Sequence, residues 1–300
     1  MKFLKIALMS IVILVISSGM CWAKELQQHI DEVQKELTEK NIHYVLDVTR
    51  LLKESGASFQ KNLTAPVSVV NRYQPGENLL MMIGVYQFDA LYAAAFGKKK
   101  LAGGFLNAQS VLIDKMNLRG RIDVSVIFPT ALKAMVRNPE TMTIDRVIES
   151  YATNADSYHR IMDDPIGFDT IESSLYGLVV EGLYVLSETL VMSGDAREAS
   201  TLLNRQISLP DREWGSVTLL DPLEKGIDLM LKLYKSFEGD PQNYARFADK
   251  SGNPRERVER TEWLKNISDI IKKIKRQVTP EGIALLSETV AKEREKVIQP

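Results

Sequence analysis

Apolar residues recur along this chain at helical spacing, and two stretches give up polar positions almost completely. Residues 79–96 (LLMMIGVYQFDALYAAAF) carry only Gln87 and Asp89 as strongly polar side chains, and residues 175–186 (LYGLVVEGLYVL) only Glu181. A helix that is apolar on every side is enclosed by protein or by lipid. The first run approaches the ~20 residues of a membrane span. In that setting Asp89 would sit near mid-bilayer, at a cost of about 2.5–3.5 kcal/mol. Both runs therefore read as buried core helices of a soluble body.

Helix punctuation recurs along the rest of the chain. Asn138-Pro139, Asp221-Pro222, Asp240-Pro241 and Thr279-Pro280 each set a capping side chain before a proline at the first helical position. Proline fits there because its missing N–H would be unpaired in any case. Asp221 with Glu224, and Asp169 with Glu172, have capping-box spacing. Gly97, Gly194 and Gly239 stand where helices should stop. The pattern predicts helices over 25–41, 43–62, 77–97, 99–117, 122–137, 139–163, 169–193, 195–207, 222–238, 241–249, 256–277 and 280–298. Short connections make sequential helices antiparallel neighbours. The fold class is all-α, an irregular multi-helix bundle or stacked α-hairpins of about ten to twelve helices. The longest irregular stretch is 63–76, and no domain boundary is apparent.

Two later helices have one apolar side. Residues 260–277 set Trp263, Leu264, Ile267, Ile270, Ile271 and Ile274 against Lys265, Lys272, Lys273, Lys275 and Arg276. Residues 280–298 line up Ile283, Leu286, Val290 and Val297. Both are expected to dock on the body with their charges in water.

The amino terminus has the pattern of a secretory signal. Lys2 and Lys5 precede an apolar run from Ile6 to Ile16, and Cys21 and Ala23 occupy positions −3 and −1 of a cleavage point. The expected organisation is a signal peptide over 1–23 and a single helical domain over 24–300, exported to the periplasm, with no membrane span once the signal is removed. The alternatives are anchorage through a lipid on Cys21 or through an uncleaved signal; Met20 stands where a lipoprotein signal wants a small residue. Cys21 is the one cysteine in the chain. Cleavage after Ala23 leaves no disulfide and no thiolate, so stability must come from packing.

Charge changes the picture little. The chain has 38 basic and 39 acidic residues. Loss of Lys2 and Lys5 leaves 36 against 39, a formal charge of −3. No strong field directs it to nucleic acid. His29, His43 and His159 lack metal-binding spacing. There is no Gly-x-Ser-x-Gly elbow, P-loop or dinucleotide fingerprint. No metal, cofactor or catalytic residue is expected.

The two core acids are the unusual feature. Asp89 precedes Tyr92 by three residues, and Glu181 precedes Tyr184 by three, which sets acid and phenol on adjacent turns of one helix face. Ala90 and Gly182 are small enough to admit another helix. A buried carboxylate must find donors or become protonated. Arg72, Lys133, Arg137, His159 and Arg160 are the candidate partners in sequence. One reading makes both acids architectural; the other makes Tyr86, Asp89, Tyr92, Glu181 and Tyr184 the lining of a ligand pocket. Paired carboxylates also serve acid–base hydrolysis.

Tyr86, Asp89 and Tyr92, with the later Glu181-Gly182-Leu183-Tyr184, resemble a group of uncharacterised exported helical proteins of bacteria. These carry a Tyr-x-x-Asp-x-x-Tyr helix and a Glu-Gly-Leu-Tyr helix. The resemblance covers about 35 residues directly and implies a periplasmic or envelope location, without an activity. Many of that group look like lipoproteins, a pattern from which Met20-Cys21 departs. The expected function is non-enzymatic binding or envelope-associated interaction with a protein or small molecule; the alternative is a hydrolase using Asp89 and Glu181.

Overall fold

A computed structural model describes residues 47–122, 134, 165–194, 196–204, 207–208, 216–238 and 254–300. The signal segment with Cys21, the helices expected over 25–41, 139–163 and 241–249, and all three histidines lie outside the described residues, as does 122–137 apart from its first residue and residue 134.

The fold is an all-α bundle. Its helices are α1 (Glu77–Ala95), α2 (Lys99–Lys115), α3 (Pro165–Met192), α4 (Ala196–Asn204), α5 (Asp221–Glu238), α6 (Pro254–Arg276) and α7 (Pro280–Ile298). Residues 47–54 are helical as well. The described helices are fewer than ten to twelve. The one sheet element among the described residues is an antiparallel pair, β1 (Ile207–Ser208) with β2 (Ser216–Val217).

α1 lies between α2 and α3, and α3 packs in turn on α7 and α5. α6 closes the other side against α5 and α7. Being covered all round is what the nearly uniform apolarity of α1 requires. α3 has the length and composition of a membrane-crossing helix, yet most of it is buried inside the bundle. α1 and α3 meet backbone to backbone. A Cβ on Gly84 would fall 1.7 Å from the Ser174 carbonyl oxygen, and one on Gly177 would fall 2.0 Å from that of Met81. The close crossing is thus at Gly84 and Gly177. It is not at Ala90 and Gly182, where sequence placed it: Gly182 faces the Phe88 ring.

Two expected boundaries move. The helix predicted over 43–62 stops at 54, because Gly56 takes a left-handed conformation (φ 90°). There Ala57 N–H reaches Leu52 O and Gly56 N–H reaches Lys53 O, closing the helix end. Gly97 (φ 70°) ends α1 through the equivalent pair of bonds. α3 begins at Pro165, four residues before the expected Asp169 cap. Asp169 instead pairs with Arg257 at 3.0 Å, and Glu172 enters the core. Asp221 and Glu224 form no capping box either; both hold Lys275, at 2.7 and 2.5 Å. Thr279 does cap α7, accepting from Gly282 N–H at 3.1 Å, with Pro280 at the first position.

Candidate functional site

Asp89 and Glu181 come together. Both are fully buried, one from α1 and the other from α3. Arg294 of α7 meets Glu181 with a bidentate fork, Nε to Oε2 at 2.6 Å and Nη2 to Oε1 at 2.8 Å. Its Nη2 also donates to Leu63 O at 3.1 Å, and its guanidinium lies 4.0 Å from the centre of the Tyr184 ring. Burial works against the Arg294 charge, but the Glu181 carboxylate beside it raises its pKa overall. Asp89 Oδ2 accepts from Ala65 N–H at 2.8 Å, whereas no N–H or hydroxyl donor among the described residues meets Oδ1. Burial first, and then the negative charge of Glu181, push the Asp89 carboxyl well above the usual carboxylate range, against the lowering pull of the Ala65 N–H and Arg294. These forces bias the Asp89 carboxyl toward its protonated form, beside the Glu181 side chain that Arg294 clasps.

The basic partner is thus Arg294, absent from the candidates named above. Arg72 is exposed in the 3₁₀ turn Val67–Arg72, and the other four candidates lie outside the described residues. The signal for Arg294 was present in sequence. It stands four residues after Val290 and three before Val297, inside the apolar stripe of α7. A charge in that stripe points at the core.

The Tyr86, Asp89, Tyr92 series acts as a clasp. Tyr86 OH donates to Pro66 O (3.1 Å), Asp89 accepts from Ala65 N–H, and Tyr92 OH accepts from Gln60 N–H (3.0 Å). Three side chains on successive turns of α1 thereby pin the irregular strap 57–76, run in the opposite direction. Burial raises the pKa of Tyr86 and of Tyr92, so both remain neutral phenols at ordinary pH. Lys115 of α2 secures the strap further on, donating to Asn71 O at 2.8 Å and Tyr73 O at 2.9 Å. Buried backbone that forms no helix needs partners of this kind.

A second buried charge cluster was not anticipated. Glu172 of α3 accepts from Arg260 Nη1 with both oxygens (2.9 and 3.2 Å) and from Tyr234 OH. Arg260, too, lies in an apolar stripe, four residues before Leu264. Burial brings its pKa down to about 10, so it keeps its charge at neutral pH. Next to it Tyr176 OH donates to Glu293 Oε1 (2.7 Å), and Lys296 holds Oε2 (2.7 Å).

Above this cluster opens a cavity of about 450 Å³ among α1, α6 and α7. Tyr73, Met81, Tyr176, Arg260, Glu293 and Val297 are among its lining residues. Glu256, Glu259 and Trp263 of α6 border it as well, with Lys296 of α7. The Trp263 ring meets Tyr176 edge-on, with centroids 5.8 Å apart. Tyr86, Asp89, Tyr92, Glu181 and Tyr184 are not among the residues lining this cavity. Among the described residues no group of three or more histidine, cysteine or acidic side chains is placed to hold a metal. Compared with protein-family models, with curated proteins and with solved structures, the chain matches none.

Proposed function

We propose that this chain is a non-enzymatic binding protein of the bacterial envelope, exported through its amino-terminal signal, whose ligand or partner enters the cleft between α1, α6 and α7. One observation carries the reading: an opening of a size fit for a small molecule lies apart from the two core acids. Asp89 and Glu181 have no exposed surface, and their oxygens go to Ala65, to each other and to Arg294. A hydrolytic pair needs room for water and substrate between its carboxyls. The five residues Tyr86, Asp89, Tyr92, Glu181 and Tyr184 are then architectural, holding the strap and the junction of α1, α3 and α7. Within the all-α class, the packing of α3 on the distant α7 supports an irregular bundle over a stack of hairpins.

The test is a thermal-shift screen of the purified protein against envelope metabolites, with Asp89→Asn beside wild type. A compound that raises the wild-type Tm should raise that of Asp89→Asn equally. A ligand shift lost in Asp89→Asn would restore the hydrolase reading. Mass spectrometry of the exported protein checks the location: an amino terminus at Lys24 is expected, and a lipid on Cys21 would replace free export with anchorage.

A further inference from the structure

We infer that residues 57–66 form a pH-sensitive latch, closed over the two core acids in acid solution and opening by itself, ahead of the bundle, as the pH rises.

This segment is one layer of chain between the acids and water. Leu63 and Ala65 are buried, while Lys61, Asn62, Pro66 and Val67 are exposed. It belongs to no α-helix or sheet. Its hydrogen bonds to the helices run from Gln60 N–H to Tyr92 OH, from Arg294 to Leu63 O, from Ala65 N–H to Asp89 and from Tyr86 OH to Pro66 O. All four fall on the acid cluster or on the turns of α1 beside Asp89. Beyond it Lys115 grips the carbonyls of Asn71 and Tyr73, so 57–66 can lift while the rest of the strap stays in place. Gly56, left-handed at φ 90°, stands at the other end as a pivot.

The cluster underneath holds two carboxylates and one guanidinium, all buried. Glu181 engages Arg294 through both oxygens. Asp89 has the Ala65 N–H on Oδ2 and, among the described residues, no donor on Oδ1. The groups facing it are Glu181 and Tyr184 of α3, Arg294 of α7, Tyr73 of the strap, and Tyr86 and Tyr92 of α1 itself. The buried residues of α2 include no charged side chain. Burial keeps the phenols neutral, with Tyr73 pushed up to about 12. With Asp89 ionised, this core holds two negative charges against one positive, an excess that a dry interior penalises. Lifting 57–66 lets water reach Asp89 with the helices still packed. Burial and Glu181 raise the Asp89 pKa in the closed state, so closure has its full advantage below the ordinary 3.8 and loses it as pH rises through the closed-state value.

Amide hydrogen exchange of the full ¹⁵N-labelled protein, corrected for intrinsic rates between about pH 5 and pH 8, reads the opening directly. The opening constants of Gln60 and Ala65 should climb together, by about tenfold or more over that range and by no more than about tenfold per pH unit. Both amides should stay less protected than Ile270 of α6 at every pH. In Asp89→Asn the climb should vanish. Protection equal to that of Ile270 would show that the segment opens only with the bundle and would overturn the latch. So would a flat opening constant in wild type, or an unchanged climb in Asp89→Asn, which would assign the effect to another group such as the buried Asp47. If Asp89→Asn does not fold, the ¹³C signal of the Asp89 carboxyl in wild type decides: it should be that of the protonated acid at pH 5, and a signal already ionised there overturns the inference.

Discussion

Arg294 clasps Glu181 through two parallel hydrogen bonds, 2.6 and 2.8 Å long, across 113 residues of sequence. The pair joins α3 to α7 at the place where α1 presents Asp89, and it sets the terms on which the core tolerates two acids. Breaking a buried pair by removing one partner leaves a charge with no compensation, at a cost of about 3–5 kcal/mol. Glu181→Gln and Arg294→Met should each destabilise by that amount in urea unfolding. Combining Glu181→Leu with Arg294→Met should recover most of the loss, because no charge is then stranded. Additive losses in the double variant would refute the coupling.

Asp89 gives a pH signature of definite sign. Its carboxyl titrates well above the usual 3.8 in the fold, so its contribution to stability is complete below the unfolded pKa and is lost as pH rises through the folded one. Asparagine copies the protonated acid: its oxygen accepts from Ala65 N–H and its amide donates to Glu181. Asp89→Asn should match wild type near pH 4 and exceed it increasingly toward pH 8, as followed by thermal unfolding across the range. A variant less stable than wild type at pH 8 would mean that Asp89 is ionised in the native state.

The crossing of α1 and α3 leaves no room for a methyl group. Gly177→Ala would drive a Cβ into the Met81 carbonyl, so the helices must separate, at a cost of about 3 kcal/mol or more. Gly104→Ala in α2, where nothing lies within 4 Å, should instead stabilise by roughly 0.5–1 kcal/mol through helix propensity. Denaturant midpoints of the two variants should move in opposite directions.

The strap is held by individual hydrogen bonds rather than by a regular ladder. Tyr92→Phe deprives Gln60 N–H of its acceptor, and Tyr86→Phe deprives Pro66 O of its donor. Each should cost about 1–3 kcal/mol. Hydrogen exchange should quicken at Gln60 in the first variant and remain unchanged in α6. Uniform acceleration over the whole chain would show that the strap and bundle open as one unit.

Much of the fold was legible because its helices announce their ends. Thr279-Pro280 and Gly97 mark boundaries through local backbone chemistry that needs no tertiary partner. The uniformly apolar runs around Asp89 and Glu181 likewise identified the two core helices. What sequence could not supply was distance. Asp169 and Glu172 have the spacing of a cap, yet Pro165 starts the helix earlier and frees both acids for Arg257 and Arg260. Gly182 is as small as Gly84 and Gly177, and only the tertiary packing of the two helices selects between them; Ala90 already carries the methyl group for which the crossing has no room. The cleft was hidden for the same reason, since α1, α6 and α7 meet there from distant parts of the chain. Arg260 and Arg294 were detectable as charges within apolar stripes.

Because the cation that neutralises Glu181 belongs to α7, a growing chain cannot complete its core from what has already been made. Until residue 294 is synthesised, α3 carries an acid without a counter-ion, and the helices that would bury it pay for doing so. Synthesis order and electrostatics together delay final packing, which keeps an emerging polypeptide loose for as long as it has this helix still to come.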